Sequence, residues 1–285
     1  MTLIDGKSIS AKVKEEIKSV ASNLAAKGVE PALAVILVGE DAASKTYVAS
    51  KEKACAACGI RSVAHRLSSD VSEAALLELI ENLNEDESID GILVQLPLPK
   101  HIDTNKILET ISPQKDVDGF SAINVGKLTS GLSDGFVPCT PLGVMRLLEE
   151  YGVQITGKNA VVLGRSNIVG KPMASLLLNA DATVTIAHSK TKDLKRLCAD
   201  ADILIAAVGK VHFVSADMVK QGAVVIDVGI NRGGDGKLRG DVDFDAVAPK
   251  CSFITPVPGG VGPMTIAILL SNTIKSAKNR LRQRV

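Results

Sequence analysis

Ile9, Val13, Ile17, Val20 and Leu24 recur at helical spacing, with Ser8 or Ser10 placed to cap the run and Gly28 to stop it. The apolar run Ala32–Val38 after Pro31 predicts a buried strand, and past Gly39 a helix over 42–58 ended by Gly59. A strand over 61–67, a helix over 72–84 and a strand over 91–95 follow. After a proline-punctuated loop at 96–99, a helix over 103–111 completes a first α/β unit. Helices alternating with fully apolar strands predict a parallel sheet covered on both faces.

The segment 112–139 is long and rich in Gly, Ser and Asp, and marks the expected domain boundary. Thr140 reads as an N-cap with Pro141 at the first helical position, opening a helix to Tyr151. Strands over 160–163, 183–187, 203–207 and 223–228 then alternate with segments of crossover length. A long helix is expected from Met264 to about Arg282. The pattern predicts two α/β domains, the second a Rossmann-like doubly wound parallel sheet. No internal repeat or low-complexity tract interrupts it.

Composition narrows this further. A chain of 285 residues holds roughly two domains of about 150 residues. Its 33 basic and 32 acidic residues give a net charge of +1, which argues against a protein built to grip nucleic acid. Apolar runs are strand-length, too short for a membrane span, and the first residues carry no signal-peptide pattern. Five cysteines describe no disulfide framework, so a soluble, cytoplasmic protein is expected. With no tryptophan, two tyrosines and five phenylalanines, the core must be aliphatic.

The strand over 160–163 runs into Gly164-Arg-Ser-Asn-Ile-Val-Gly170-Lys-Pro172. A glycine turn off a strand, then a helix N-terminus with free N–H groups, is the context of a dinucleotide fingerprint. Ser166 replaces the second glycine, and Gly170 falls one residue late. The next strand ends Ile186-Ala-His-Ser-Lys190 without the carboxylate of a NAD site. Arg165, Ser189 and Lys190 suit a 2′-phosphate instead, so NADP is the expected cofactor.

Ser44, Tyr47 and Lys51 stand at i, i+3 and i+7 on the second helix, either a solvated polar face or one that meets a ligand. Gln95 ends an apolar strand, where ligands of α/β sheets bind. Asp118 precedes Gly119 and has an ordinary reading as a turn residue.

Five elements in order carry a resemblance: Ser44…Tyr47…Lys51, Gly91-Ile-Leu-Val-Gln-Leu-Pro-Leu-Pro99, Lys115-Asp-Val-Asp-Gly-Phe120, Gly164 to Pro172, and Thr255-Pro-Val-Pro-Gly-Gly-Val-Gly-Pro-Met-Thr265. Together they resemble the bifunctional methylenetetrahydrofolate dehydrogenase/methenyltetrahydrofolate cyclohydrolase family over nearly the whole chain. The resemblance implies NADP-dependent oxidation of 5,10-methylenetetrahydrofolate, then hydrolysis of the methenyl cation to 10-formyltetrahydrofolate. It also implies tetrahydrofolate substrates, a homodimer and an active-site cleft between the domains. The implied domains are 1–138 for folate and catalysis and 139–268 for NADP, with a helix over 269–285 packing back on the first. Lys51 matches the catalytic lysine, Gln95 its partner, Tyr47 the residue stacking on the aminobenzoyl ring, and Asp118 the carboxylate facing the pterin. Ser44, Val94 and Leu96 complete the implied folate site with Pro258, Gly259, Gly260, Val261 and Gly262 of the proline-glycine loop, which is read as neither strand nor helix. The implied cofactor residues are Gly164, Arg165, Ser166, Ser189, Ile230, Gly262 and Thr265. Two rival readings are a dehydrogenase without cyclohydrolase activity and a non-catalytic NADP-sensing module.

Other features have structural readings. Cys55-Ala-Ala-Cys58 lies late in a helix without a second pair, which favours structural thiols. Asp241, Asp243 and Asp245 lack the glycine and glutamate of a calcium loop and suit caps and turns. The four histidines show no metal spacing, so no metal is expected. The basic run 278–284 reads as a solvated helix end favourable to the dipole.

Overall fold

The computed structural model describes residues 1–283; Arg284, which ends the basic run, and Val285 lie outside the described residues. In chain order the elements are β1 (Thr2–Leu3), α1 (Gly6–Ala25), β2 (Ala32–Val38), α2 (Ala42–Ala57), β3 (Arg61–Leu67), α3 (Glu73–Glu85), β4 (Gly91–Val94), α4 (Thr104–Thr110) and α5 (Ala122–Thr129). They continue with α6 (Cys139–Glu150), β5 (Asn159–Leu163), α7 (Gly170–Asn179), β6 (Thr183–Ala187), α8 (Leu194–Ala199), β7 (Ile203–Ala206) and β8 (Ala223–Asp227). The short hairpin β9 (Asn231–Arg232) and β10 (Leu238–Arg239), α9 (Phe244–Val247), β11 (Cys251–Ile254) and α10 (Val261–Gln283) complete the chain.

Two compact units result. One comprises residues 1–11 and 138–265, the other 12–137 and 266–285. The first eleven residues therefore join the later unit rather than the earlier one, because β1 pairs in parallel with β11. That strand is two residues long, too short to leave a periodic signal.

In the unit of residues 12–137 and 266–285 the sheet is parallel, in the order β3-β2-β4. Every residue of β2 and β4 is buried, as a strand covered on both faces must be. Leu76, Ile80 and Leu83 of α3 pack with Ile36, Ile92 and Ile107. The boundary segment is not a loose linker. Asp116, 2% exposed, accepts the N–H groups of Gly119, Phe120 and Ser121 and the Asn124 side-chain amide, and α5 follows. Along α10, Asn272 donates to the Val117 carbonyl, Ser276 to that of Gln114, and Arg280 to the Asp90 carboxylate. Arg280 is thus an ion-pair partner of a buried acid, where the sequence suggested a solvated helix end.

In the other unit a wholly parallel six-stranded sheet runs β1-β11-β8-β7-β5-β6. Counted from β5 the order is second, first, third, fourth, fifth, so the direction of winding reverses between β5 and β7. Ligands of open α/β sheets bind at that reversal, outside the carboxyl ends of the strands. The core here is aliphatic, with Leu163, Leu204, Val225, Val247 and Ile254 all below 2% exposed.

Two caps differ from expectation. Asp5, not Ser8 or Ser10, caps α1, its Oδ1 accepting the N–H groups of Lys7 and Ser8. Thr140 lies inside α6, whose first turn begins one residue earlier, and its hydroxyl hydrogen-bonds that of Thr265 at 2.9 Å. All five cysteines are buried and free, and burial pushes the Cys55 thiol up to about 12. Among the described residues no helix is long and apolar enough to cross a membrane.

Candidate active site

In the three-stranded unit the order reverses between β2 and β4, and the chain leaving each strand there carries the candidate residues. Gly39 turns the chain off β2 at φ +84°, a conformation that favours glycine, and Asp41 caps α2 by accepting the Ser44 N–H. Ser44, Val48 and Cys55 form a buried stripe at i, i+4 and i+11, on which Lys51 falls at i+7 and is partly buried. Ser44 is 4% exposed and belongs to the cap, so it shares the stripe of Lys51 but is not a solvent-facing contact. Tyr47, at the edge of that stripe one turn before Lys51, is 44% exposed.

From β4, Val94 is buried and Gln95 follows at the strand's carboxyl end, its N–H held by the Ile36 carbonyl. Lys51 Nζ donates to Gln95 Oε1 at 2.9 Å, and Gln95 Nε2 donates to the Leu96 carbonyl at 2.7 Å. The second bond fixes the amide so that its oxygen faces the amine. Gln95 holds the amine through a neutral amide, which adds no charge beside it. Asp118 lies on the turn that Asp116 organises; Asn272 holds the preceding carbonyl, and Gly91 leaves room for Val117, whose Cγ1 would lie 2.7 Å from a Cβ there. Sequence reading singled out Asp118 and passed over Asp116, whose partners are mostly backbone amides with no side-chain signature.

In the six-stranded unit, Gly164 takes φ +119°, and a Cβ there would lie 2.2 Å from the Ala207 carbonyl oxygen, so only glycine fits the close approach of the two loops at the reversal. The first-turn amides of α7 are not free as expected. Ser166 Oγ accepts those of Val169 and Gly170, its carbonyl accepts that of Lys171, and Pro172 has none. Among the described residues of this loop, the amides of Arg165 to Ile168 have no internal partner, and all four residues are exposed. The unbonded donors therefore lie in the loop before the helix and not at its end. Gly164 N–H bonds the Ala187 carbonyl, which brings Arg165 beside the strand end carrying Ser189 and Lys190, all three exposed. No carboxylate ends β6, a donor set that fits a 2′-phosphate.

The proline-glycine loop belongs to this unit. Gly6 abuts it so closely that a Cβ would fall within bonding distance of the Gly260 carbonyl oxygen, and Lys7 N–H bonds the Gly259 carbonyl at 3.0 Å. Gly259 takes φ +108°, and Pro258 is exposed. Val261 and Gly262 are already helical, because α10 begins three residues before Met264. Gly262 faces Ile230, whose Cδ1 would lie 3.4 Å from a Cβ there, and Ile230 is 45% exposed. Ile230, Gly262 and Thr265 are therefore close together, although only the resemblance linked them. Sequence reading missed Asp227 and saw Asp241 only as a turn residue; both are buried, and burial pushes the Asp227 carboxyl up to about 6.

Comparison with known proteins agrees with both halves. Residues 4–118 match the family described as tetrahydrofolate dehydrogenase/cyclohydrolase, catalytic domain, and residues 138–281 its NAD(P)-binding domain. The chain belongs to the tetrahydrofolate dehydrogenase/cyclohydrolase family. It is 70% identical over 283 residues to the bifunctional protein FolD of Campylobacter hominis, covering 99% of each chain. To that of Campylobacter curvus it is 71% identical over 282 residues, covering 99% of this chain and 98% of the other. The crystal structure of the bifunctional methylenetetrahydrofolate dehydrogenase/cyclohydrolase of Campylobacter jejuni superposes with a TM-score of 0.97 at 59% identity, over 98% of this chain and 99% of that one. The Trypanosoma brucei enzyme, solved with NADP cofactor and inhibitor, gives 0.94 at 42% identity over 99% of each chain. The family's second domain begins at residue 138, where the structure also divides. The family's first domain, by contrast, takes in residues 4–11, which pack with the second unit here.

Proposed function

We propose that the chain oxidises 5,10-methylenetetrahydrofolate to the 5,10-methenyl cation with NADP+ and then hydrolyses that cation to 10-formyltetrahydrofolate. The observation that carries the reading is the Lys51–Gln95 contact of 2.9 Å at the sheet reversal of a chain in this family. NADP+ supplies the hydride acceptor. Arg165, Ser189 and the free amides of 165–168 bind its phosphates, while Ile230, Gly262 and Thr265 hold the nicotinamide end. Tyr47 stacks on the aminobenzoyl ring, and Asp118 pairs with the donor edge of the pterin. Val94 and Leu96 complete the walls.

In the second step the oxygen of water adds to the cationic carbon while Lys51, neutral, takes its proton. The formyl carbonyl forms as the remaining hydroxyl proton leaves, the carbon–N5 bond breaks and N5 is protonated. A free lysine titrates near 10.4, so the basic form must be favoured in the complex, and the positive methenyl carbon itself does this. Gln95 holds the amine without adding charge.

The direct test supplies methylenetetrahydrofolate with NADP+ and then NAD+, following reduced nicotinamide and methenyl absorbance. Turnover is expected to be faster with NADP+, and Ser189→Asp should move the preference toward NAD+ by about tenfold or more, since it places an acid beside the 2′-phosphate. No turnover with either cofactor favours the sensing module, and faster turnover with NAD+ overturns the cofactor choice.

We also propose a cytoplasmic homodimer, the state implied for the family. Light scattering should give twice the 29.8 kDa chain mass, and a monomer mass rejects it.

A further inference from the structure

We propose that Asp241 is a positioning residue for the nicotinamide coenzyme, holding in place the loops that leave β7 and β8 at the carboxyl edge of the six-stranded sheet. Its side chain is fully buried, and its Oδ2 accepts the N–H groups of Val208 at 2.6 Å and Gly209 at 2.9 Å. Its Oδ1 accepts the Lys210 N–H at 2.9 Å and the Asn231 side-chain amide at 2.9 Å. Three successive backbone donors converging on one carboxylate fix the turn after β7, and bonds to a charged acceptor are about twice as strong as neutral ones. The same carboxylate fills the space of a side chain at Gly229, where a Cβ would lie 2.3 Å from Oδ1. Asp241 therefore sets both the 208–210 turn and the 229–231 segment that presents Ile230.

Asp227, the last residue of β8, fixes Asp241 in turn. Its carboxylate accepts the N–H groups of Gly229, Asp241 and Val242, each at 2.9 Å. Two acids buried against amides are a costly way to fill a core that aliphatic side chains fill elsewhere in the unit. What they supply instead is direction, because each oxygen sets where a loop amide must lie. The loops so fixed flank the reversal between β5 and β7, where Ala207 meets Gly164. The four side-chain bonds of Asp241 all go to the 208–210 turn and to Asn231, within the unit that carries the coenzyme residues. The inference rests on reading this unit as the coenzyme domain.

The bifunctional reaction supplies its own control, because hydrolysis of methenyltetrahydrofolate consumes no coenzyme. In Asp241→Asn the amide nitrogen faces donors whichever oxygen it replaces, so two of the four bonds are lost. The KM for NADP+ is expected to rise about tenfold or more and kcat of the dehydrogenase to fall, while hydrolysis on the same preparation stays within about twofold. Asn231→Ala removes one bond to Asp241, together with a 3.4 Å bond to the Arg239 carbonyl, from a partly exposed position and, should Asp241→Asn not fold, still gives the test: a rise of about threefold in the same KM with hydrolysis unchanged. A parallel loss of both activities, or an unaltered KM and kcat for NADP+ in Asn231→Ala and Asp241→Asn alike, overturns the proposal. Wild-type protein that hydrolyses the methenyl compound but never reduces NADP+ overturns the coenzyme reading beneath it, a failure distinct from that of the variants.

Discussion

Replacing Lys51 by methionine is expected to slow hydrolysis of methenyltetrahydrofolate by about a thousandfold while coenzyme binding stays intact. Methionine keeps the unbranched stem and suits a helix interior, so the stripe that Lys51 shares with Val48 and Cys55 is preserved. What disappears is the amine donating to Gln95 Oε1. A positioned general base is worth about 10²–10⁴ in rate, which sets the scale. Hydride transfer needs no base at this position, so the variant should accumulate the methenyl product when given methylenetetrahydrofolate and NADP+. Absorbance of the methenyl compound reads the block directly, and a fluorescence titration with NADPH reads coenzyme binding. Hydrolysis at the wild-type rate would remove Lys51 from the base role. A loss of coenzyme affinity would show instead that the substitution had disturbed more than one amine.

The contrast between Lys51 and the residues around it shows what a sequence exposes. Gln95, Gly164 and the proline-glycine loop were legible because each sits where a periodic element ends, and ends of strands in parallel sheets are where ligands bind, whereas Lys51 was marked by its i+7 spacing from Ser44 on one helix face. Helices and central strands were legible for a related reason: a strand buried on both faces cannot be written except as an apolar run. The residues that hold the site in place left no such mark. Asp116 and Asp241 bond mainly to backbone amides, which every sequence possesses, so nothing in the chain names their partners. Ser44 sits at the right spacing for the ligand face, yet the Asp41 cap turns it inward. Strand β1 and the hairpin β9–β10 have two residues per strand, below the length at which alternation can be read. The free amides at 165–168 depend on Ser166 occupying the helix end, a local competition that a glycine pattern cannot express.

The same blindness to distance hid the contact expected to matter most for stability. Arg280→Leu should destabilise the unit built on β2, β3 and β4 by about 3–5 kcal/mol, the usual cost of removing one partner from a buried ion pair. Asp90 is 1% exposed and accepts Arg280 Nε at 2.8 Å and Nη2 at 2.9 Å, a two-pronged pairing that leucine cannot offer. The Ala32 N–H, at 2.9 Å from Asp90 Oδ2, would remain. Burial already raises the Asp90 carboxyl above its ordinary value despite Arg280, and without the guanidinium it rises further. A folded-state value above the unfolded one means that the native state holds its proton more tightly, so protonation at low pH relieves the variant. The deficit should therefore be smallest near pH 5 and grow as pH rises through the folded-state value of the carboxyl. Urea unfolding of wild type and variant at pH 5 and pH 8 measures both the loss and its slope. Asp90→Asn combined with Arg280→Leu should recover part of the stability at pH 8, because it removes the stranded charge together with its partner. Equal unfolding midpoints for wild type and Arg280→Leu at pH 8 would show that the Arg280–Asp90 pair does not hold the last helix.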